Sequence, residues 1–280
     1  MKINRTMPEV KVTAEHIEQF ERDGFLVIED ALSSEIVGQL LQTIDGLEAE
    51  FSASDHRRNV FGLDVRPIVG KDPLFFDLMT WPTTFPLAVR FLNHYNLQLM
   101  TSHLIKVPPQ PGKRNVGWHP DGGIPGIQIG GRRAFTSLKI GYFLTDLLSP
   151  NMGSLLVVPG SHRLAGPPVF EAGGSDPVGT VELKIRAGSA VIFQEGLWHA
   201  GATNSSDKTR VVLYFGYGFR YLRPIDYIQM PQELLDRCDP IEKQLLGHKA
   251  THLGYQAPQD ADCPLKPWFQ ERFGNQWLPD

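Results

Sequence analysis

Residues 187–219 read "AGSAVIFQEGLWHAGATNSSDKTRVVLYFGYGF". Two runs rich in Val, Ile, Leu, Phe and Tyr flank a stretch of Asn, Ser, Asp and Lys. Such runs pack well on a pleated, half-buried surface, and the polar stretch between them favours a turn. The expectation is a hairpin: a strand ending at His199, a turn over "TNSSDK" (203–208), and a second strand beside the first, starting at Arg210. Along that second strand Arg210, Val212, Tyr214 and Gly216 share one side, and Val211, Leu213 and Phe215 the other. Similar runs stand at 97–107 ("LQLMTSHLIKV"), 133–147 ("RAFTSLKIGYFLTDL"), 153–161 ("GSLLVVPGS") and 181–199. Gly, Pro, Asn, Ser or Asp clusters separate them, and no long helical pattern intervenes. This excludes a βαβ sheet and favours an antiparallel sandwich or barrel.

Helices are expected at the edges of this β region. Thr13 is placed to cap a short helix that reaches about Arg22, and "GFLVIED" (24–30) follows as a strand. Ser33 or Ser34 then opens a longer helix whose Ile36, Val37, Leu40, Leu41, Ile44 and Leu47 recur at helical spacing. Residues 1–12 read as a loose arm. "PQELLDRCDPIEKQLLG" (231–247) is helical again, before a Pro-rich end. No repeat or long linker divides the chain, so one domain is expected over 1–280. Its parts are a β core over about 98–220, N-terminal helices over 13–50 and a helical extension over 228–280.

Composition narrows the function classes. A net charge of −4 gives no electrostatic case for nucleic acid or an anionic membrane surface. No apolar run approaches the ~18 residues that a membrane span needs. Cys238 and Cys263 are far apart and form no metal-binding pair, and the N-terminus has no apolar signal core, so a cytoplasmic protein without a disulfide framework is expected.

Inside the β region, "GWHPDGG" (117–123) places His119 and Asp121 two positions apart, where Gly and Pro forbid a helix. Two readings stand: a surface turn, or two side chains reaching one metal from the same side of an extended segment. His199, 80 positions after His119 at the end of an apolar strand, offers a third ligand. Two histidines and one carboxylate leave open positions on an octahedral metal, the arrangement of non-haem Fe(II) oxygenases. Arg210, 11 positions after His199, would face an apolar interior, which is costly unless an anion pairs with it. Lys139 shares a small or polar strand side with Ser137 and Gly141, and so either assists an anionic co-substrate or faces solvent. The roles of Lys106, Arg132 and Arg133 stay open. His162 and Arg163 in "PGSHR" read as part of a tight turn, not as metal ligands, and Trp118 and Trp198 as packing around the ligands.

"WHPDGG", "NMGSLLVVPGSHR", "AGSAVIFQEGLWHAGATNSSDKTR" and the opening "EHIEQFERDGFLVIEDALS" together resemble the phytanoyl-CoA dioxygenase family of Fe(II)/2-oxoglutarate-dependent oxygenases. The resemblance runs over roughly residues 13–225. It implies a double-stranded β-helix, a cupin-like jelly roll. It implies iron held by His119, Asp121 and His199, with Arg210 on the far carboxylate of 2-oxoglutarate. It also implies a hydroxylase or related oxidase that uses O2 and a small-molecule substrate and releases succinate and CO2. Loops at 55–75, 122–134, 165–180 and 220–280 are the expected substrate walls, with 122–134 as a mobile cover, and a natural product or small metabolite is the favoured substrate. The rival reading is a zinc hydrolase on a cupin-like barrel, which leaves Arg210 unexplained.

Overall fold

Local chemistry starts the chain as expected. In the computed structural model, which describes residues 7–274 apart from 53, 60–61, 115, 123–127 and 130, the Thr13 side chain accepts from His16 N, and His16 Nδ1 accepts from Thr13 N. This reciprocal cap opens α1 (Ala14–Asp23). α1 ends at Gly24, whose φ of 81° suits a residue without a Cβ. β1 (Phe25–Ile28) follows at once. Ser33 then caps α2 (Ser34–Ala49), which buries Ile36, Val37, Leu40 and Ile44.

The part of the arm within the described residues is docked, not loose. Val10 N donates to Pro82 O, Glu9 pairs with Arg272, and Met7, Val10 and Val12 pack on the core. Those apolar side chains stand between polar ones with no helical or strand period, so only the distant partners show why they dock. Sequence periodicity also passed over β2 (Arg58–Asn59), β3 (Gly62–Val65), α3 (Pro73–Leu78) and α4 (Phe85–Leu92), all of them short.

The β region holds β4 (Leu97–Val107), β5 (Gln128–Ile129), β6 (Arg132–Arg133), β7 (Ser137–Phe143), β8 (Leu155–Val157), β9 (Val181–Glu182), β10 (Ala190–Gln194), β11 (His199–Gly201) and β12 (Arg210–Phe219). The extension forms α5 (Gln232–Leu235), α6 (Pro240–Leu245) and α7 (Leu265–Phe273). A seven-stranded sheet runs in the order β1-β10-β7-β12-β4-β3-β2, and a three-stranded sheet in the order β11-β8-β9. Every pairing between these strands is antiparallel. The two sheets form a jelly roll.

The alternation along β12 divides the core in two. Val212 and Tyr214 face the smaller sheet, in a cluster with Phe143, Leu155, Val191 and Phe193. Val211, Leu213, Phe215 and Tyr217 face the helices, with Leu40, Ile44, Phe85 and Leu138. The helices therefore seal one face of the large sheet. The other face and the small sheet enclose a space between the layers.

The expected hairpin between the strands of His199 and Arg210 does not form. β11 pairs with β8 in the small sheet, while β12 pairs with β4 and β7 in the large one. The 203–208 stretch carries the chain from one layer to the other. Buried Asn204 anchors the crossing: its side-chain nitrogen donates to Val107 O and Lys208 O, and its oxygen accepts from Ser206. Turn-forming residues report that the chain changes direction, and a crossover between layers needs the same residue types as a hairpin.

Candidate metal and co-substrate site

The segment carrying His119 lies against the start of β11. His119 N donates to His199 O and His199 N to His119 O, both at 3.0 Å, and Gly201 N donates to Val116 O. This bridge brings the two imidazoles together, with ring centroids 4.4 Å apart and the rings tilted by 49°. His119 Nδ1 lies 2.8 Å from Gly117 O, and His199 Nδ1 lies 2.8 Å from Leu197 O. A carbonyl oxygen only accepts, so each Nδ1 carries the proton and each Nε2 keeps its lone pair. Burial pushes the pKa of His199 down to about 4, so its imidazole is neutral at pH 7 and able to ligate.

Asp121 completes the cluster. Its Oδ1 accepts from Lys139 Nζ at 2.7 Å, while Oδ2 is buried and has no hydrogen-bond partner among the described residues. Burial alone would raise this carboxyl, but Lys139 and the two histidines outweigh it and hold the pKa below its ordinary value. A buried carboxylate oxygen left without a donor is costly. Here it stands beside two imidazoles with free Nε2 lone pairs, and ligand atoms of the three residues all lie within 4.8 Å of one another. Two nitrogens and one carboxylate oxygen, with room for further ligands, suit a divalent first-row metal such as Fe(II). The sequence had placed these three residues together across 80 positions, and the fold brings them together.

Arg210 opens β12 and is 2% exposed. Its guanidinium lines the same cavity as His119, Asp121 and His199, a space of about 280 Å³. One Nη donates to Tyr214 Oη at 2.8 Å, and Nε has no hydrogen-bond partner among the described residues. Among the described residues no carboxylate pairs with this buried cation. Gly153 makes room for it, since a Cβ there would stand 3.3 Å from Arg210 Cδ. The cavity is thus polarised, with the ligand cluster and an uncompensated guanidinium on its walls.

The structure adds residues that the sequence reading overlooked. His103, which faces the cavity from β4, donates through Nε2 to Asp64 Oδ1 on β3 at 2.9 Å, and Arg66 forks onto Asp64 at the rim. Burial would raise Asp64, but His103 and Arg66 overcome it and hold the carboxyl well below the usual range. Residues 55–75 were expected as a variable loop. The alternation in "GLDV" (62–65) was the available signal for an edge strand. Tyr214 was correctly placed on the Arg210 side without being given a role.

The remaining candidates divide clearly. Lys139 lines the Arg210 cavity and also a second one of about 270 Å³, where Thr136, Glu195, Arg133 and Arg223 join it and Asp121. Asp121 and Lys139 therefore form the partition between two chambers. Lys106 points to the helices, pairing with Glu48 at 2.6 Å and Asp45 at 3.2 Å, and so ties β4 to α2. His162 is structural, donating through Nε2 to Glu21 O. Trp118 packs on Leu156, Ala200 and Ala202 and donates to Asp176, and Trp198 is buried. The Arg132 side chain and most of the glycine-rich cover, 123–127 and 130, lie outside the described residues. The described remainder of that segment forms the short β5–β6 ribbon.

A jelly roll with two histidines, a carboxylate and a buried arginine around one cavity defines the class of non-haem iron, 2-oxoglutarate-dependent dioxygenases. The chain belongs to the phytanoyl-CoA dioxygenase (PhyH) family, whose model matches residues 20–212. It is 26% identical over 196 residues to "Dioxygenase af480" of Aspergillus fumigatus, covering 68% of this chain and 59% of that protein's length. It is 27% identical over 246 residues to "Ectoine dioxygenase" of Nocardia farcinica, covering 72% and 77%. HygX from Streptomyces hygroscopicus, solved with nickel and 2-oxoglutarate bound, superposes with a TM-score of 0.62 at 19% identity over 76% of this chain and 89% of that one. EctD from S. alaskensis, in its apoform, gives 0.60 at 22% identity over 81% and 88%. Among the described residues no helix is long and apolar enough to cross a membrane.

Proposed function

We propose that this protein binds Fe(II) through His119, Asp121 and His199, binds 2-oxoglutarate through Arg210, and uses O2 to hydroxylate or otherwise oxidise a small molecule within a single domain. The observation that carries this reading is the buried Arg210 guanidinium in the cavity of the three ligand residues. A metal-dependent hydrolase needs the ligands but has no use for that cation.

When bound, the iron supplies O2 activation coupled to oxidative decarboxylation of 2-oxoglutarate, giving succinate and CO2. The chain supplies position and exclusion of water. The carbonyls of Gly117 and Leu197 fix the imidazole tautomers and ring orientations. Lys139 takes up Asp121 Oδ1, which leaves Oδ2 as the ligand atom. Lys139 also lines the Arg210 cavity and is proposed as a second contact for the anionic co-substrate. Arg210, oriented by Tyr214, offers a planar fork to a carboxylate. The second chamber, on the far side of Asp121 and Lys139, is proposed to take the primary substrate. A small metabolite or natural product suits it; relatives and neighbours are named for ectoine, and HygX has been solved with hygromycin B bound.

The test is calorimetric binding of 2-oxoglutarate to Ni(II)-loaded protein, followed by succinate formation with Fe(II) and O2. Saturable, metal-dependent binding is expected. Metal binding with no affinity for 2-oxoglutarate would sink the oxygenase reading in favour of a hydrolase.

A further inference from the structure

Another cavity is larger than the one at the ligand cluster. About 530 Å³ of space lies under the C-terminal extension, beyond the end of β12. Among the described residues its lining carries Arg220, Arg223, His248 and Lys249 and not one carboxylate. That is unusual in a chain with 31 acidic residues against 27 Lys and Arg. Arg220 is 2% exposed, and its Nη groups donate to the backbone carbonyls of Asp262 and His248, with the Cys263 thiol also against the guanidinium. The Asp262 carboxylate is occupied elsewhere, by Ala250 N, Gln259 N and the backbone N and hydroxyl of Thr251. Arg220 and Lys249 each lie over the Tyr255 ring, 5.2 Å from its centroid, so one ring attracts both cations. Arg223 has no ion-pair partner among the described residues. Burying a cation without a directly paired anion is costly, and burial pushes the Arg220 guanidinium down from its usual pKa by more than the nearby Cys263, Tyr255 and Asp262 restore. Leu222 and Arg223 line both this cavity and the chamber at Asp121 and Lys139, so the two adjoin.

We propose that this cavity is an anion-binding site, which takes a phosphate- or carboxylate-bearing organic molecule between Arg220, Arg223 and Lys249. The site goes beyond the oxygenase reading and does not depend on it. Its ligand comes from one of two sources. It is the acidic end of the primary substrate, reaching the catalytic chamber past Leu222, or it is a separate anionic metabolite.

The experiment uses inorganic pyrophosphate as probe and the full-length, metal-free protein, with binding followed by calorimetry. Saturable binding that weakens with added salt is expected. Arg223→Gln combined with Lys249→Gln should weaken it at least about tenfold, the scale of one lost charge-assisted contact. Both residues are largely exposed, so the double variant is expected to fold; Arg220, which holds two walls together, is left intact. Arg210→Ala should leave pyrophosphate affinity unchanged, because that residue lies in the other cavity. No saturable binding would overturn the proposal. So would binding abolished by Arg210→Ala but kept in the double variant. Binding of 2-oxoglutarate to the Ni(II)-loaded double variant is measured separately, so failure of the anion site and failure of the oxygenase reading give different results. Succinate formation by the Fe(II)-loaded double variant separates the two sources: a raised KM for the primary substrate with an unchanged KM for 2-oxoglutarate identifies the anion as the substrate's own, and unchanged values for both identify a separate ligand.

Discussion

At the scale of single residues, the ligand cluster and Arg210 make separable predictions. Removing a group that merely orients a metal ligand costs about 10–100-fold in metal affinity. His119→Ala or His199→Ala should therefore cost more than that, read by Ni(II) or Co(II) titration. Metal affinity close to that of the parent in either variant would count against the cluster. Arg210→Ala should leave metal affinity nearly unchanged, since Arg210 offers no ligand atom, yet raise the KM for 2-oxoglutarate by at least ~10-fold. Arg210→Lys should recover only part of the loss, because an ammonium lacks the planar fork. An unchanged KM in Arg210→Ala would remove the basis for 2-oxoglutarate. These residues were legible because each carries chemistry its surroundings do not explain. The pairing of His103 with Asp64 was not legible, since neither stands in a distinctive pattern and their meeting depends on the β3–β4 register.

At the scale of elements, boundaries were read well where a local cap fixes them. Thr13 and Ser33 open α1 and α2 through bonds made within three residues, so sequence suffices. Gly24 closes α1 for a local and a distant reason together. Its φ of 81° disfavours a side chain, and an added Cβ would lie 2.3 Å from His162 Nδ1 in the turn after β8. Gly24→Ala should lower the unfolding free energy by at least about 2 kcal/mol, combining left-handed backbone strain with overpacking. Adding His162→Ser to Gly24→Ala should restore part of it, by removing the clash and leaving the strain. Equal denaturation midpoints for Gly24→Ala and the parent would show that the contact relaxes freely. The mistaken hairpin belongs to this scale too. The crossing at 203–208 is decided by Asn204 reaching Val107, nearly a hundred positions away, which no local pattern reports.

At the scale of the whole molecule, buried imidazoles link stability to pH. Burial lowers the pKa of His94, His103, His162 and His199, the last to about 4 from an ordinary value of 6.5. The unfolded chain therefore takes up protons at these sites before the folded chain does. Metal-free protein should hold its full stability above pH 6.5 and lose it progressively as the pH falls toward 4. Thermal melts across that range check this, and a flat profile would contradict the burial of these rings. A bound metal and 2-oxoglutarate should raise the melting temperature in proportion to the logarithm of ligand concentration, because only the folded chain assembles the site.

The sequence by itself determined the β class, the terminal helices, the three candidate metal ligands and Arg210. All of these rest on short-range periodicity, on caps, or on a few residue types whose chemistry is costly without a partner. Only the tertiary structure decided that β11 and β12 lie in opposite sheets, that Lys106 serves a helix while Lys139 meets Asp121, and that the N-terminal segment is docked. It alone revealed the basic cavity under the extension. Each of these depends on which distant surfaces meet, and burial and pairing across the layers settle that, not the preferences of neighbouring residues.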